Sequence, residues 1–357
     1  MEQTNDTALF LDLLNGPAFS VKDGLVDRLN GNAVYLAIQP GTSVMDLIRV
    51  GAEEYEALEQ GRLFLSLELE GVPFGASVSR MNGWDLFVLE PPEHHTELAA
   101  LELASRELRG PMGDLKMLSD LLLPKLDEKY DPLVGSMNHS IFRLLRILNN
   151  MSNAYDFSDP TRCRKTELHP GILFRNTICH ELAPLAEKAG LALEFKDLSE
   201  GVFCLLDEHQ IKQALYSLIS NAATYAPKGS VIQVVLKKSE NRLAFSVTDQ
   251  GSGIPDHVMS SIFSRYRRQE AAEDGRYGIG LGLVVVRAVA AAHEGTTMIQ
   301  RLPEGGTRVT VTIPIRKSKD ASFASQTANF VIHSTSDGLV GLSNVLPSEV
   351  YTPKKQS

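Results

Sequence analysis

Asp249 leads the stretch DQGSGIP, a carboxylate followed by two closely spaced glycines at the end of an apolar run. A carboxylate in that place can accept the exocyclic amine of adenine, and it disfavours guanine, whose oxo group brings no proton to share. Gly251 and Gly253 let backbone come close to a ring. Asn221, in SLISNAATY, offers a neutral oxygen to a Mg2+ that also holds phosphate oxygens. GIGLGL, Gly278 to Leu283, puts three glycines where the chain enters a helix, whose free N–H groups and dipole suit phosphate. A lone glycine-rich turn is ordinarily only a turn. Four ordered elements, with IFSRYRRQ lying between DQGSGIP and GIGLGL, point together to a nucleotide.

These residues need a scaffold, and the surrounding pattern supplies one. From Glu167 to Ile315, helix-like and strand-like runs alternate. GILFRNTICHELAPLAEKAG reads as a helix with a glycine stop, LALEFKD as a strand and DEHQIKQALYSLISNAATYA as a helix. SVIQVVLKKSENRLAFSVTD and TTMIQRLPEGGTRVTVTIPI read as hairpins, with the helix GLVVVRAVAAAHEG between them. The expectation is an α/β sandwich with helices on one face of a mixed sheet. His293, at the end of that last helix, is expected to be a cation favoured by the dipole.

Upstream, Leu101, Leu108, Leu115 and Leu122 recur every seven residues, with Ala104 and Leu118 on a companion stripe. After a break at KYDP, Met137, Ile141, Leu144, Leu148 and Met151 recur at alternating four and three. Two helices that pack back on each other, with enough apolar stripe left to form a dimeric four-helix bundle, are predicted. His139 is expected to point outward. From Phe10 to Glu90 a small α+β module is expected, with SVMDLIRVGAEEYEALEQG as its helical piece and RLFLSLELEG and DLFVLE as strands.

At 357 residues the chain is long enough for two or three cores. A net charge of −9 argues against nucleic acid as a bulk partner, because phosphate binding needs a cationic face. Cys163, Cys179 and Cys204 form no CxxC pair and are too few for a disulfide framework, so buried free thiols in a reducing compartment are expected. The acidic N-terminus lacks the pattern of a signal peptide, and no apolar run approaches the ~18 residues of a membrane span. The longest such run, Leu281 to Ala292, is cut by Arg287. A soluble, cytoplasmic chain is the expectation.

The set SLISNAATYAP, DQGSGI, IFSRYRR, GIGLGL and the strand-end GGT (Gly305 to Thr307) resembles the ATP-binding domain of sensor histidine kinases, within the superfamily shared with gyrase and MutL. The resemblance runs from about Leu101 to Ile315. It implies an α+β multidomain chain: a PAS-like module over residues 1–92, a helical-hairpin dimerisation domain over 93–160, an ATP-binding α/β sandwich over 161–316 and a tail over 317–357. The stretch AFSVKDGLVDRLNGNA resembles the usual entry into a PAS-like fold. The implied cofactors are ATP and Mg2+. The implied contacts are Asn221 (also the metal ligand), Tyr225, Asp249, Gly251, Gly253, Ile254, Tyr266, Arg268, Gly278, Gly280, Leu281, Gly282, Leu283 and Thr307. Family members commonly carry asparagine where Ser217 stands and a phosphate-touching lysine where Thr224 stands. Arg265, Arg268 and Arg276 are cations that could compensate.

SRELRGPM, Ser105 to Met112, occupies the place of the family's phosphoacceptor box, with Arg106 where the histidine belongs. Phosphoryl transfer needs an unprotonated ring nitrogen to attack phosphorus, whereas guanidinium has donors only and stays charged. Glu107, beside it, takes the place of the family's general base and is left with no proton to take. Gly110 replaces the threonine or asparagine that the family's phosphatase reaction uses. Pro111 breaks an i→i−4 bond in mid-helix, a cost of ~3 kcal/mol that packing must offset. Arg106 can pair with Glu102 one turn earlier or clamp phosphate without accepting it.

A degenerate kinase is the resulting expectation: a homodimer through the hairpin that binds ATP and acts through conformation or through a partner, a response regulator or another kinase. The alternatives are an active kinase that phosphorylates a non-standard histidine such as His139 or a serine, and an ATP-gated interaction scaffold.

Overall fold

The computed structural model describes residues 11–14, 16–81, 83–90, 95–254, 281–318 and 336–352. Strands β1 (Ala18–Lys22), β2 (Leu25–Leu29), β3 (Ile48–Val50), β4 (Arg62–Leu69), β5 (Val72–Met81) and β6 (Trp84–Glu90) form an antiparallel N-terminal sheet over an apolar cluster that includes Phe19, Leu63, Leu65 and Phe87. The helical piece expected over residues 43–61 is instead two short helical turns interrupted by β3. Two β-branched residues, Ile48 and Val50, favour the strand, and Gly51, at φ 103°, adopts a backbone that ends it sharply.

Helix α1 (His95–Leu122) packs along helix α2 (Asp131–Asp156). The helix runs unbroken through Pro111. It meets the rest of the chain with Leu98, Ser105, Met112 and Ser119, a stripe that also repeats every seven residues. The leucine stripe expected to seek a partner is largely exposed in the single chain: Leu108 at 52% and Leu115 at 51% lie open, with Leu118 and Leu122. On α2, Ile141 and Leu148 are buried, whereas Met137 and Leu144 are exposed. The small Ser105 and Ser119 let α2 approach closely, which leaves the larger side chains on the outer face.

A third helical run, α3, spans residues 170–188 and is π-helical from Asn176 to Leu182. Strand β7 (Thr166–Leu168) pairs with β9 (Cys204–Leu206) in a separate two-stranded sheet. Helix α4 (Glu208–Tyr225) starts on Asp207, whose Oδ1 accepts from the Gln210 amide at 3.1 Å. It ends at Ala226, whose successor Pro227 disfavours further helix. Helix α5 (Gly282–Ala292) buries valines and alanines nearly all round. Strands β8 (Ala192–Leu198), β10 (Val231–Ser239), β11 (Arg242–Thr248), β12 (Thr296–Arg301) and β13 (Thr307–Pro314) form a mixed sheet in which β8 runs parallel to β10.

The two sheets are one. Strand β4 pairs antiparallel with β12, with Phe64 opposite Thr297 and Leu63 opposite Met298. The order is β2-β1-β6-β5-β4-β12-β13-β11-β10-β8, with β3 paired to β4 off this path. Two ion pairs reinforce this seam: Arg242 donates to Glu54 through Nε at 2.8 Å and Nη2 at 2.6 Å, and the buried Arg287 pairs with Glu90. The Arg287 guanidinium lies 4.3 Å from the Phe64 ring centroid.

Beyond β13, helix α6 (Ser336–Gly341) and the 3-10 turn Ser348–Tyr351 lie against α2 and α4. Leu342, Leu346 and Tyr351 join the main core. No helix among the described residues is long and apolar enough to cross a membrane. The cysteines are unpaired, with Cys204 buried, Cys163 half-buried and, against the expectation of burial, Cys179 exposed.

Candidate functional site

Asp249 follows directly on β11, an inner strand, so its backbone is fixed on both sides by β10 and β13. Its Oδ1 accepts from the Gly251 amide at 2.8 Å and the Thr307 amide at 3.3 Å. Burial pushes the carboxyl up, and the two N–H bonds oppose that shift. The second oxygen, Oδ2, accepts nothing from the described residues. One carboxylate oxygen is therefore locked by two backbone amides. Gly251 lies so close to the Tyr225 carbonyl that a Cβ would stand 2.7 Å from it.

Tyr225 ends α4, and Asn221 lies one turn earlier on the same helix. Asn221 lies against Gly282, where a Cβ would sit 3.6 Å from its Nδ2 and 3.8 Å from Ser217 Cβ. Asp249, Gly251, Tyr225, Asn221 and Gly282 thus form a continuous line from a strand end to a helix N-terminus. Leu281 caps that helix with its side chain in the core, 2% exposed, so its backbone alone can face a ligand. Ile254 and Leu283 pack with Phe64, Ile299 and Val309. Gly253 adopts φ +75°. Tyr266, Arg268, Gly278 and Gly280 lie outside the described residues, as do Arg265 and Arg276.

These donors fit a purine nucleotide with Mg2+. The free carboxylate oxygen matches an exocyclic amine, Asn221 supplies a neutral oxygen, and α5 points its N-terminal dipole at the same place. Among the described residues no group of three His, Cys, Asp or Glu side chains could hold a metal by itself. A Mg2+ there would complete its shell with phosphate oxygens and water.

On α1, Arg106 and Glu107 are both exposed. Arg106 Nε pairs with Glu102 one turn back, and Ser105 Oγ donates to the Glu102 carbonyl at 2.8 Å. The i,i+4 partner is thus in place, and the group at this position is a solvated cation.

Two histidines depart from expectation. His293 is 3% exposed; its Nδ1 donates to the Val289 carbonyl at 2.8 Å and its Nε2 accepts from the Asp207 amide at 3.0 Å. Burial pulls its pKa down. It is a neutral staple between α5 and the cap of α4, because an imidazolium has no lone pair to accept that amide. His139, expected to point outward, is half-buried: its Nε2 lies 2.7 Å from the Ser343 carbonyl and its ring stacks on Tyr351 at 5.0 Å. Sequence reasoning also missed Phe64, which touches the site's apolar edge. Arg287 was the available signal, a charge in an otherwise apolar helix.

Residues 206–317 match the family described as "Histidine kinase-, DNA gyrase B-, and HSP90-like ATPase". Hybrid signal transduction histidine kinase D of Dictyostelium discoideum is 29% identical over 237 residues, 62% of this chain and 15% of that protein. Signal transduction histidine-protein kinase AfsQ2 of Streptomyces coelicolor is 25% identical over 321 residues, 84% of this chain and 58% of that protein. Sensor histidine kinase YvrG of Bacillus subtilis is 26% identical over 215 residues, 58% of this chain and 36% of that protein. The chain thus spans less than two thirds of the length of these curated relatives. The crystal structure of full-length ShkA in complex with AMPPNP shares the fold at TM-score 0.52 and 22% identity, covering 62% of this chain and 46% of that one. The chain carries a histidine kinase-type ATPase domain and is a relative of the two-component sensor histidine kinases.

Proposed function

We propose that the chain is a degenerate sensor kinase: it binds ATP with Mg2+, dimerises through α1 and α2, and transmits its state by conformation or to a protein partner rather than by phosphorylating itself on α1. One observation carries this reading. The Asp249 carboxylate is held in a bifurcated grip by the Gly251 and Thr307 amides, while the acceptor position of α1 holds an arginine paired with Glu102.

In the proposed site Asp249 Oδ2 accepts the adenine amine, Gly251 and Gly253 admit the ring, Tyr225, Ile254, Leu283 and Thr307 border it, and Asn221 with Gly282 takes the phosphate end. Bound Mg2+ would neutralise phosphate charge there. Arg106 offers no electron pair to phosphorus, and Glu107 has no acceptor proton to remove. The exposed leucine face of α1 would pair with a second copy. Residues 1–92 then form the PAS-like input module, 93–160 the dimerisation hairpin and 161–316 the ATP-binding unit. A response regulator or another kinase is the partner class that this relationship favours.

Phosphorylation of His139 is disfavoured by its surroundings. Nε2 must carry a proton to bond the Ser343 carbonyl, and Tyr351 covers the ring face.

Titration calorimetry tests the nucleotide reading. Mg-ATP should bind and Mg-GTP should bind at least ~10-fold more weakly, the scale of one hydrogen bond to a charged group. Asp249→Asn should abolish the preference and most of the affinity. Equal affinity for the two nucleotides would remove Asp249 from the base site.

A further inference from the structure

The segment 336–352 bridges α2 and α4. Leu342 and Ser343 are fully buried, and Leu346 and Tyr351 nearly so. On the α2 side, Asn138 Nδ2 donates to the Tyr351 carbonyl at 3.0 Å, and its Oδ1 accepts from Ser119 on α1 at 2.7 Å. His139 donates to the Ser343 carbonyl, and Phe142 packs on the Tyr351 ring at 5.0 Å. On the α4 side, Ser220 Oγ donates to Asn344 Oδ1 at 2.7 Å. Asn344 Nδ2 donates to the Ser220 carbonyl at 3.3 Å and to Thr224 Oγ1.

Thr224 stands three residues after Asn221. Its hydroxyl donates to the Ser220 carbonyl of its own helix at 2.7 Å and accepts from Asn344 of the tail. The segment also lies beside a cation that no described carboxylate pairs with. Arg146 on α2 donates to Ser220 Oγ at 3.3 Å, has no carboxylate partner among the described residues, and keeps a buried Nε without a hydrogen-bond acceptor. Burial pulls its guanidinium down to about 10, with Arg143 adding to the effect. The docked arrangement therefore balances close packing against a poorly solvated cation, as a contact meant to open would.

We propose that residues 336–352 are an autoinhibitory strap that ties α4, the helix bearing Asn221, to α2, and that nucleotide binding and strap docking oppose each other. The proposal rests on the nucleotide reading above. Docked, the strap fixes the ATP-binding unit against the hairpin and bonds the acceptor side of the Thr224 hydroxyl; released, it gives up that bond and uncovers Arg146 beside the helix that carries the phosphate end of the site. Because such coupling is reciprocal, nucleotide must loosen the strap as much as the strap weakens nucleotide. The strap thereby supplies the two-state element through which an enzyme relative without its acceptor histidine can report nucleotide state.

Two variants of the full chain test this. Gly135→Ala puts a methyl group 2.5 Å from Thr352 Oγ1 and 2.8 Å from the Ser348 carbonyl, and alanine is the better helix former, so α2 itself is not weakened. Asn344→Ala removes the strap's bonds to α4 from the opposite end. Hydrogen–deuterium exchange should rise in both variants across 336–352, 139–146 and 216–225, and affinity for a fluorescent Mg-ATP analogue should rise roughly five- to tenfold, the effect of about one released polar contact. In the unmodified chain, saturating Mg-ATP analogue should itself raise exchange across 336–352. Faster exchange with unchanged affinity would make the segment a purely structural brace and overturn the proposal, as would unchanged exchange in both variants. If no form binds nucleotide, the nucleotide reading fails and the opposition claimed here falls with it, whereas faster exchange at 139–146 and 216–225 would still mark the segment as a tether.

Discussion

Arg106 and Asp249 divide the chemistry between them. The first is a permanent cation on a solvated helix face, and the second is a carboxylate desolvated enough to favour a ligand proton yet anchored by two amides. His293 shows how burial sets the sign of a pH effect. Its folded pKa lies below the ordinary value of 6.5, so below that pH the unfolded chain binds a proton that the folded chain refuses. Stability should therefore be complete above about pH 7 and decline as pH falls through 6.5, by up to ~1.4 kcal/mol per pH unit while the folded histidine stays neutral. Thermal unfolding between pH 5 and 8 checks this: His293→Gln should be less stable at pH 7.5 by ~1–2 kcal/mol, the loss of a buried bond, and should show a shallower acid slope. Identical slopes would mean that His293 is free to charge. The neutral staple was not legible in the sequence, because the amide that fixes it belongs to Asp207, 86 residues away.

At the scale of elements, much was readable. The run DEHQIKQALYSLISNAATYA specified α4 through its periodicity, its Asp207 cap and the proline after it, and both hairpins followed from alternation around short turns. The leucine heptad of α1 marked one stripe, whereas the packing against the rest of the chain uses a second stripe of the same period beside it. The intrachain stripe contains Ser105 and Ser119, which a hydrophobicity count passes over. The exposed stripe makes its own prediction. Leu108→Asp with Leu115→Asp should convert a dimer into a monomer in light scattering at micromolar concentration, since each buried leucine is worth ~1.5–3 kcal/mol, with little change in the helical circular dichroism of the monomer. A doubly substituted chain that remained dimeric would move the interface elsewhere.

At the scale of the molecule, the structure is organised by contacts between segments far apart in sequence. RLFLSLELE reads as a half-buried strand whatever pairs with its edge, so joining β4 to β12 had no local signature. The same holds for the tail, whose Ser343 meets His139 across 204 residues. Arg287 and Glu90 close the seam under Phe64, which places the N-terminal sheet in contact with Ile254 and Leu283. The N-terminal sheet thus packs through Phe64 onto the apolar edge of the proposed nucleotide site, and the proposed strap ties that unit to α2. The motifs named the nucleotide chemistry because they are local; the architecture that would govern it is long-range, and only the folded chain displays it.

The central claim is that this chain holds ATP without accepting its phosphate. Incubation of the full chain with γ-labelled ATP and Mg2+, followed by acid and base treatment, tests it most directly when run beside a binding measurement on the same sample. Bound nucleotide with no protein-linked label is the predicted result, and acid-labile label on the unmodified chain would contradict it.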